Sequence, residues 1–265
     1  MSSLVGFGFI AFLVMSAMEI LEVDRSFYFD EVAFIIVLGG TLAIAIITNP
    51  LRKFFLLFTA PLQMVKKNKR DRIGMIQLLV KASKVSKLGR SGLMQLLSES
   101  KMPPFLRDGI ELLILDLERD EFKSILTERI YRERQRQEVR VSFFRKLAKY
   151  PPGLGLVGTV LGLVNLMRSV GVGGNAGEVG MKMALALIAT LYGLGLSNLY
   201  FVPMSEYFQR EAEEDKIFLE LQLEGLLMVF DAKSDLAVQE MLNSFLPAKE
   251  RQDVLGIRTQ RQKAS

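Results

Sequence analysis

Four stretches of the chain contain no Asp, Glu, Lys or Arg: residues 1–18, 32–51, 150–167 and 183–205. Each is close to the ~20 residues that a helix needs to cross ~30 Å of hydrocarbon, a medium in which a backbone must satisfy its own hydrogen bonds. Hydrophobic residues are 50% of the chain and charged residues 24%, and the two classes fall in separate long blocks, which is a membrane pattern. No strand alternation appears between the blocks. The expected fold class is therefore an all-α membrane protein with four transmembrane helices and long cytoplasmic helical extensions. The first stretch lacks a basic leader and is followed by Glu19, Glu22 and Asp24, so it reads as a helix and not as a cleaved signal.

Composition closes most catalytic chemistry. With no Cys and no His there is no disulfide, no thiolate or imidazole metal ligand and no Ser–His nucleophile. The glycines at 153, 155, 158 and 162 lie in an apolar helix with no strand before them and no Lys-Ser/Thr after, so they are not a nucleotide-binding loop. Neither an enzyme nor a cofactor is expected. The net charge of +5 follows from membrane topology, and no nucleic-acid motif stands behind it.

Orientation follows from where Lys and Arg collect. The loop Glu19–Glu31 carries one Arg against five acids, whereas Arg52–Lys149 carries 23 basic and 11 acidic residues. The short loops after the first and third spans should face outward and both termini inward. This divides the chain into a hairpin of spans (1–50), a cytoplasmic helical domain (51–149), a core of spans three and four (150–205) and a cytoplasmic helical tail (206–265). The stretch from Asp120 to Tyr150 has no Gly or Pro, which predicts one helix of about 30 residues with Asp120 as a candidate N-cap. Met204 to Phe230 should continue the fourth span inward. Ser169–Gly180 reads as the outward, glycine-rich turn.

Spans three and four carry the most information. Gly155, Gly158, Thr159, Gly162 and Asn165 recur three or four residues apart, as do Ala186, Thr190, Gly193 and Ser197. Such small, mildly polar faces suit close helix contact, and they equally suit a hydroxyl-lined wall beside an ion path. Neither span has an acid at mid-membrane, although an ion channel coupled to work needs a group that binds and releases the ion. On the ion-path reading a partner chain has to bring it.

Pro151-Pro152-Gly153 leading into Gly158-Thr159-Val160-Leu161-Gly162-Leu163, and Ala184 to Gly193 ending at Pro203, resemble the MotA/PomA flagellar stator family. So do Ile35 to Leu42 and Phe105-Leu106-Arg107-Asp108-Gly109, in the same order along the chain. The resemblance implies a homopentamer around a MotB/PomB-like single-span partner whose helix carries the ion-binding Asp. It implies an ion route past Thr159 and Thr190, bend or gating prolines at Pro152 and Pro203, and contact with the flagellar rotor switch ring through Lys87, Arg90 and Glu99. Ala189 stands where sodium-driven relatives tend to carry a hydroxyl, which points to protons, with sodium as the alternative. A TolQ/ExbB-like energiser and a non-conducting membrane scaffold are the competing readings.

Overall fold

The computed structural model describes residues 2–20, 28–65, 70–99, 101–173 and 175–254, and every regular element among them is helical. The acidic loop at 21–27 and the basic end at 255–265 lie outside the described residues. The elements are α1 (Ser2–Ile20), α2 (Glu31–Phe34), α3 (Gly40–Thr48), α4 (Leu51–Phe54), α5 (Leu56–Val65), α6 (Arg72–Ser86), α7 (Arg90–Glu99), α8 (Pro104–Ile114), α9 (Arg119–Leu147), α10 (Tyr150–Gly171), α11 (Ala176–Gly195), α12 (Val202–Phe230) and α13 (Asp235–Asn243). Widened π turns join α2 to α3 (Ile35–Gly39) and α11 to α12 (Leu196–Phe201). Among the described residues three helical runs, Glu31–Thr48, Arg119–Gly171 and Gly177–Phe230, are long and apolar enough to cross a membrane.

The chain forms two compact units. The first comprises residues up to Asn68 and Glu138–Arg210. Its apolar cluster includes Ala45, Leu57, Ala60, Met64, Phe144, Leu147, Phe201, Met204 and Phe208. The segment Leu51–Val65 contributes Leu57, Ala60 and Met64 at helical spacing to that cluster. Gly40 lies against Leu154, where an added Cβ would approach the leucine methyls to 3.0 Å.

The second unit comprises Lys69–Gln137 and residues from Glu211 onward. Met75, Ile76, Leu79, Leu106, Ile110, Phe122, Leu126, Leu221, Leu226, Val238 and Leu242 form its core, and Phe122 stacks on Phe230 at 5.1 Å. Gly225, the single glycine of α12, has a cause: a Cβ there would sit 2.5 Å from Leu79. Arg70, 8% exposed, reaches Asp215 at 2.5 Å, Glu214 at 2.7 Å and Glu211 at 2.9 Å. Burial opposes its charge, but the hydrogen bonds to Asp215 and Glu211 outweigh that and raise its pKa.

Two expectations shift. α9 starts at Arg119, so Asp120 stands in the first turn and is not the cap; with Glu121 it faces the positive end of the dipole, while Arg145 and Lys146 occupy the last turn. The turn expected over Ser169–Gly180 is confined to the residues between Gly171 and Ala176. Asn175 accepts from the Glu178 amide at 2.9 Å and starts α11, so glycines 177 and 180 are carried inside a helix.

Candidate functional site

α10 and α11 pack through the two small-residue faces. A Cβ at Gly158 would lie 2.5 Å from the Ala189 Cβ, one at Gly162 2.8 Å from the Ala186 Cβ, and one at Gly155 2.8 Å from the Ala189 carbonyl. No side chain fits in these gaps, so the glycines serve backbone approach and form a packed seam. The opposite face of α10 is open, with Leu156 63%, Val160 51% and Val164 62% exposed. Asn165 is exposed and lies outside the seam.

Thr159 and Thr190 meet in this seam, each partly buried, with their hydroxyls 2.5 Å apart. Thr159 Oγ1 is also 2.9 Å from the Ala186 carbonyl and 3.1 Å from the Gly155 carbonyl. Both of those oxygens are acceptors, and a hydroxyl has one proton. The full set is therefore served when Thr159 donates to a carbonyl and Thr190 donates to Thr159. That direction leaves the remaining lone pairs of Thr190 as acceptors, a chemistry suited to a water proton or a small cation. The two residues singled out from spacing are thus brought together.

Ala189 is 1% exposed and faces Gly158 in the seam. Tyr192, one turn from it on α11, donates its hydroxyl to the Tyr28 carbonyl at 2.5 Å, accepts from the Asp30 amide at 3.3 Å and meets Phe34 edge-on. No acid occurs in α10, and Glu178 in the first turn of α11 is exposed.

Pro152 falls in the first turn of α10, after a break at Ala148-Lys149 that separates α9 from α10. Pro203 follows the π turn Leu196–Phe201 as the second residue of α12. Proline lacks the N–H that an α-helix donates four residues back, and at both positions the ladder is irregular just upstream. Spacing alone gave no reason to single out Ser197 and Tyr200 as partners of such positions. Ser197 donates to the Ala148 carbonyl at 2.6 Å, and Tyr200 donates to the Leu57 carbonyl.

The three charged residues named for rotor contact belong to the second unit. Lys87 pairs with Asp235 at 2.8 Å, and Asp235 also accepts from Ser83 at 2.8 Å. The Lys87 bond, more than the Ser83 one, holds the Asp235 carboxyl below the usual carboxylate range. Arg90 pairs with Asp116 at 3.0 Å. Glu99 closes α7, and its side chain lies outside what the structure describes.

Residues 97–220 match the MotA/TolQ/ExbB proton channel family. Motility protein A of Bacillus subtilis is 26% identical over 94% of this chain and 92% of its own length. Chemotaxis protein PomA of Vibrio alginolyticus is 24% identical over 90% of this chain and 92% of its own. The fold is similar to that of a chain in the flagellar MotAB stator complex from B. subtilis, with a TM-score of 0.82 at 22% identity, covering 93% of this chain and 96% of that one. It is equally similar to that of a chain in C. jejuni MotAB, with a TM-score of 0.83 at 14% identity over 94% and 96%. The chain is thus similar to the MotA/TolQ/ExbB proton channel family over residues 97–220, and to motility protein A and PomA over nearly the whole of its length.

Proposed function

We propose that this chain is the stator subunit of an ion-driven bacterial flagellar motor, and that Thr159 and Thr190 line its ion route. The observation that carries this reading is the hydroxyl pair at 2.5 Å, set between two apolar helices with no acid beside it. A hydroxyl can orient water or replace part of a hydration shell, but it cannot hold and release charge as a carboxylate does. The route is completed by a MotB/PomB-like single-span protein that supplies the ion-binding Asp. The exposed Leu156, Val160 and Val164 face of α10 suits such a helix. The relatives whose solved complexes are MotAB assemblies support this partnership, and a ring of five copies around it is the arrangement put forward.

The transported ion is the proton, on the argument that Ala189 gives no hydroxyl next to Thr190. The chain crosses the bacterial inner membrane four times with both termini inside, which sets the basic segment Arg52–Lys149 in the cytoplasm. Pro152 and Pro203 flex the inner ends of the third and fourth spans. Rotor contact falls to Lys87, Arg90 and Glu99. The Arg90–Asp116 pair, 63% and 86% exposed, contributes little in water and can exchange for a rotor acid.

The test is expression of this chain with a MotB-like partner in a non-motile strain that lacks its own stator. Restored swimming that collapses with a protonophore supports the reading, and failure of a correctly inserted, partner-bound chain to restore motility overturns it.

A further inference from the structure

Two hydroxyls on the π turn that joins α11 to α12 do something that the small-residue faces do not account for. Pro151 and Pro152 are adjacent, so the Ala148 carbonyl has lost both its α-type donor at 152 and its 3-10-type donor at 151. Ser197, 5% exposed, fills that vacancy from the π turn at 2.6 Å. Pro61 lies inside α5 and likewise deprives the Leu57 carbonyl of its α-type donor. The hydroxyl of Tyr200, three residues beyond Ser197 on the same π turn, is the group that bonds Leu57. An i→i+5 turn holds an extra residue, so side chains three apart diverge more than on an α-helix and reach two different neighbours. A buried carbonyl without a donor is costly wherever water is excluded, so these bonds hold the helices to one another as well as closing gaps.

We propose that Ser197 and Tyr200 are positioning residues of the conducting core: from one π turn they replace the backbone hydrogen bonds that Pro152 and Pro61 remove, and so fix the start of α10 and the proline-bearing helix α5 against the helix that carries Thr190. The proposal rests on the stator reading for its effect on torque, but the bonding pattern itself does not depend on that reading. Thr190 and Ser197 are seven residues apart, about two helical turns. Loss of the Ser197 bond therefore removes a hydrogen-bonded tie to the end of α9 about two turns from the hydroxyl pair.

The test uses the full chain with its MotB-like partner. Ser197→Ala and Tyr200→Phe remove a single hydroxyl each, Ser197→Thr keeps one, and Pro61→Ala returns a backbone N–H to Leu57. The expected result is a several-fold loss of proton flux and torque in Ser197→Ala and Tyr200→Phe at unchanged membrane level, with Ser197→Thr retaining function. The melting midpoint of the purified complex should fall by several degrees in both loss variants. The double variant Tyr200→Phe/Pro61→Ala should recover most of what Tyr200→Phe loses in both readouts. Full flux and an unchanged midpoint in both hydroxyl deletions overturn the proposal, as does a double variant no better than Tyr200→Phe alone. If the wild-type chain drives no motility, the stator reading falls, and the melting cycle still decides whether the hydroxyls stand in for the missing backbone donors.

Discussion

Adding one methyl group at Gly158 should damage this protein more than its size suggests. The new Cβ would sit 2.5 Å from the Ala189 Cβ, whereas carbon atoms in contact prefer about 3.5–4.0 Å. Alanine has no rotamer through which to retreat, so α10 and α11 have to part by roughly 1 Å at this point. Overpacking of this kind costs about 1–3 kcal/mol. Parting the helices also stretches the Thr159–Thr190 contact from 2.5 Å to a separation at which a hydroxyl bond no longer holds, which removes about 1 kcal/mol more. Alanine's better helix propensity works the other way by up to about 1 kcal/mol. Gly153→Ala supplies the control, because a Cβ there meets nothing within 4 Å and that variant gains only the propensity. Melting midpoints of the purified complex and proton flux in vesicles are compared for the pair. Gly158→Ala should melt lower than Gly153→Ala and conduct several-fold less. Equal stability and equal flux would refute the seam as the element that sets the hydroxyl pair.

Three further outcomes follow from other parts of the chain. Arg70→Ala leaves Glu211, Glu214 and Asp215 facing one another without their buried cation and should destabilise the second unit by about 3 kcal/mol, read as a lower melting midpoint. Because Asp235 titrates below its unfolded value, its pairing with Lys87 stabilises the fold above that value and is lost as pH falls through the depressed one. Asp235→Asn should therefore lower stability by its full offset at neutral pH, an offset that shrinks as pH falls below about 4, so that the variant has the flatter acid limb. The chain has no native cysteine, so single cysteines report topology directly. At Val172, 84% exposed, an impermeant thiol reagent should label intact cells, and at Leu88, 72% exposed, only opened ones. The reverse pattern would invert the orientation.

Much of the framework was legible in the residues, for identifiable reasons. A run without Gly or Pro between charged termini forecasts a long helix, and α9 spans 29 residues, within a turn of the length expected. Four-and-three spacing of Gly, Ala and Thr announced two smooth faces, and these meet in one seam that brings Thr159 and Thr190 together. The same spacing could not separate packing from an ion path, because both need small residues. The glycines resolve to packing, while the hydroxyls keep acceptor capacity beyond it. Dividing the chain at residue 50 set Leu57, Ala60 and Met64 apart from the cluster they share with Ala45, although their helical spacing was present in the sequence. Glycines at 177 and 180 suggested a longer turn than the one that Asn175 caps. The π turns have no local signature, since an i→i+5 ladder is set by what the turn packs against. The vacancies left by Pro61, Pro151 and Pro152 can be written down from sequence, but the donors that fill them lie dozens of residues away or more and need the fold.

The measurement that bears most directly on the account is proton flux through the complex of this chain with a MotB-like partner, reconstituted in vesicles, for wild type and Thr190→Val. Valine keeps the shape of threonine and removes both the proton given to Thr159 and the lone pairs left open for water or an ion. The account predicts an intact complex, at normal yield and partner content, whose flux falls at least about tenfold, equivalent to a barrier raised by about 1.4 kcal/mol. Wild-type flux from the Thr190→Val complex would contradict it.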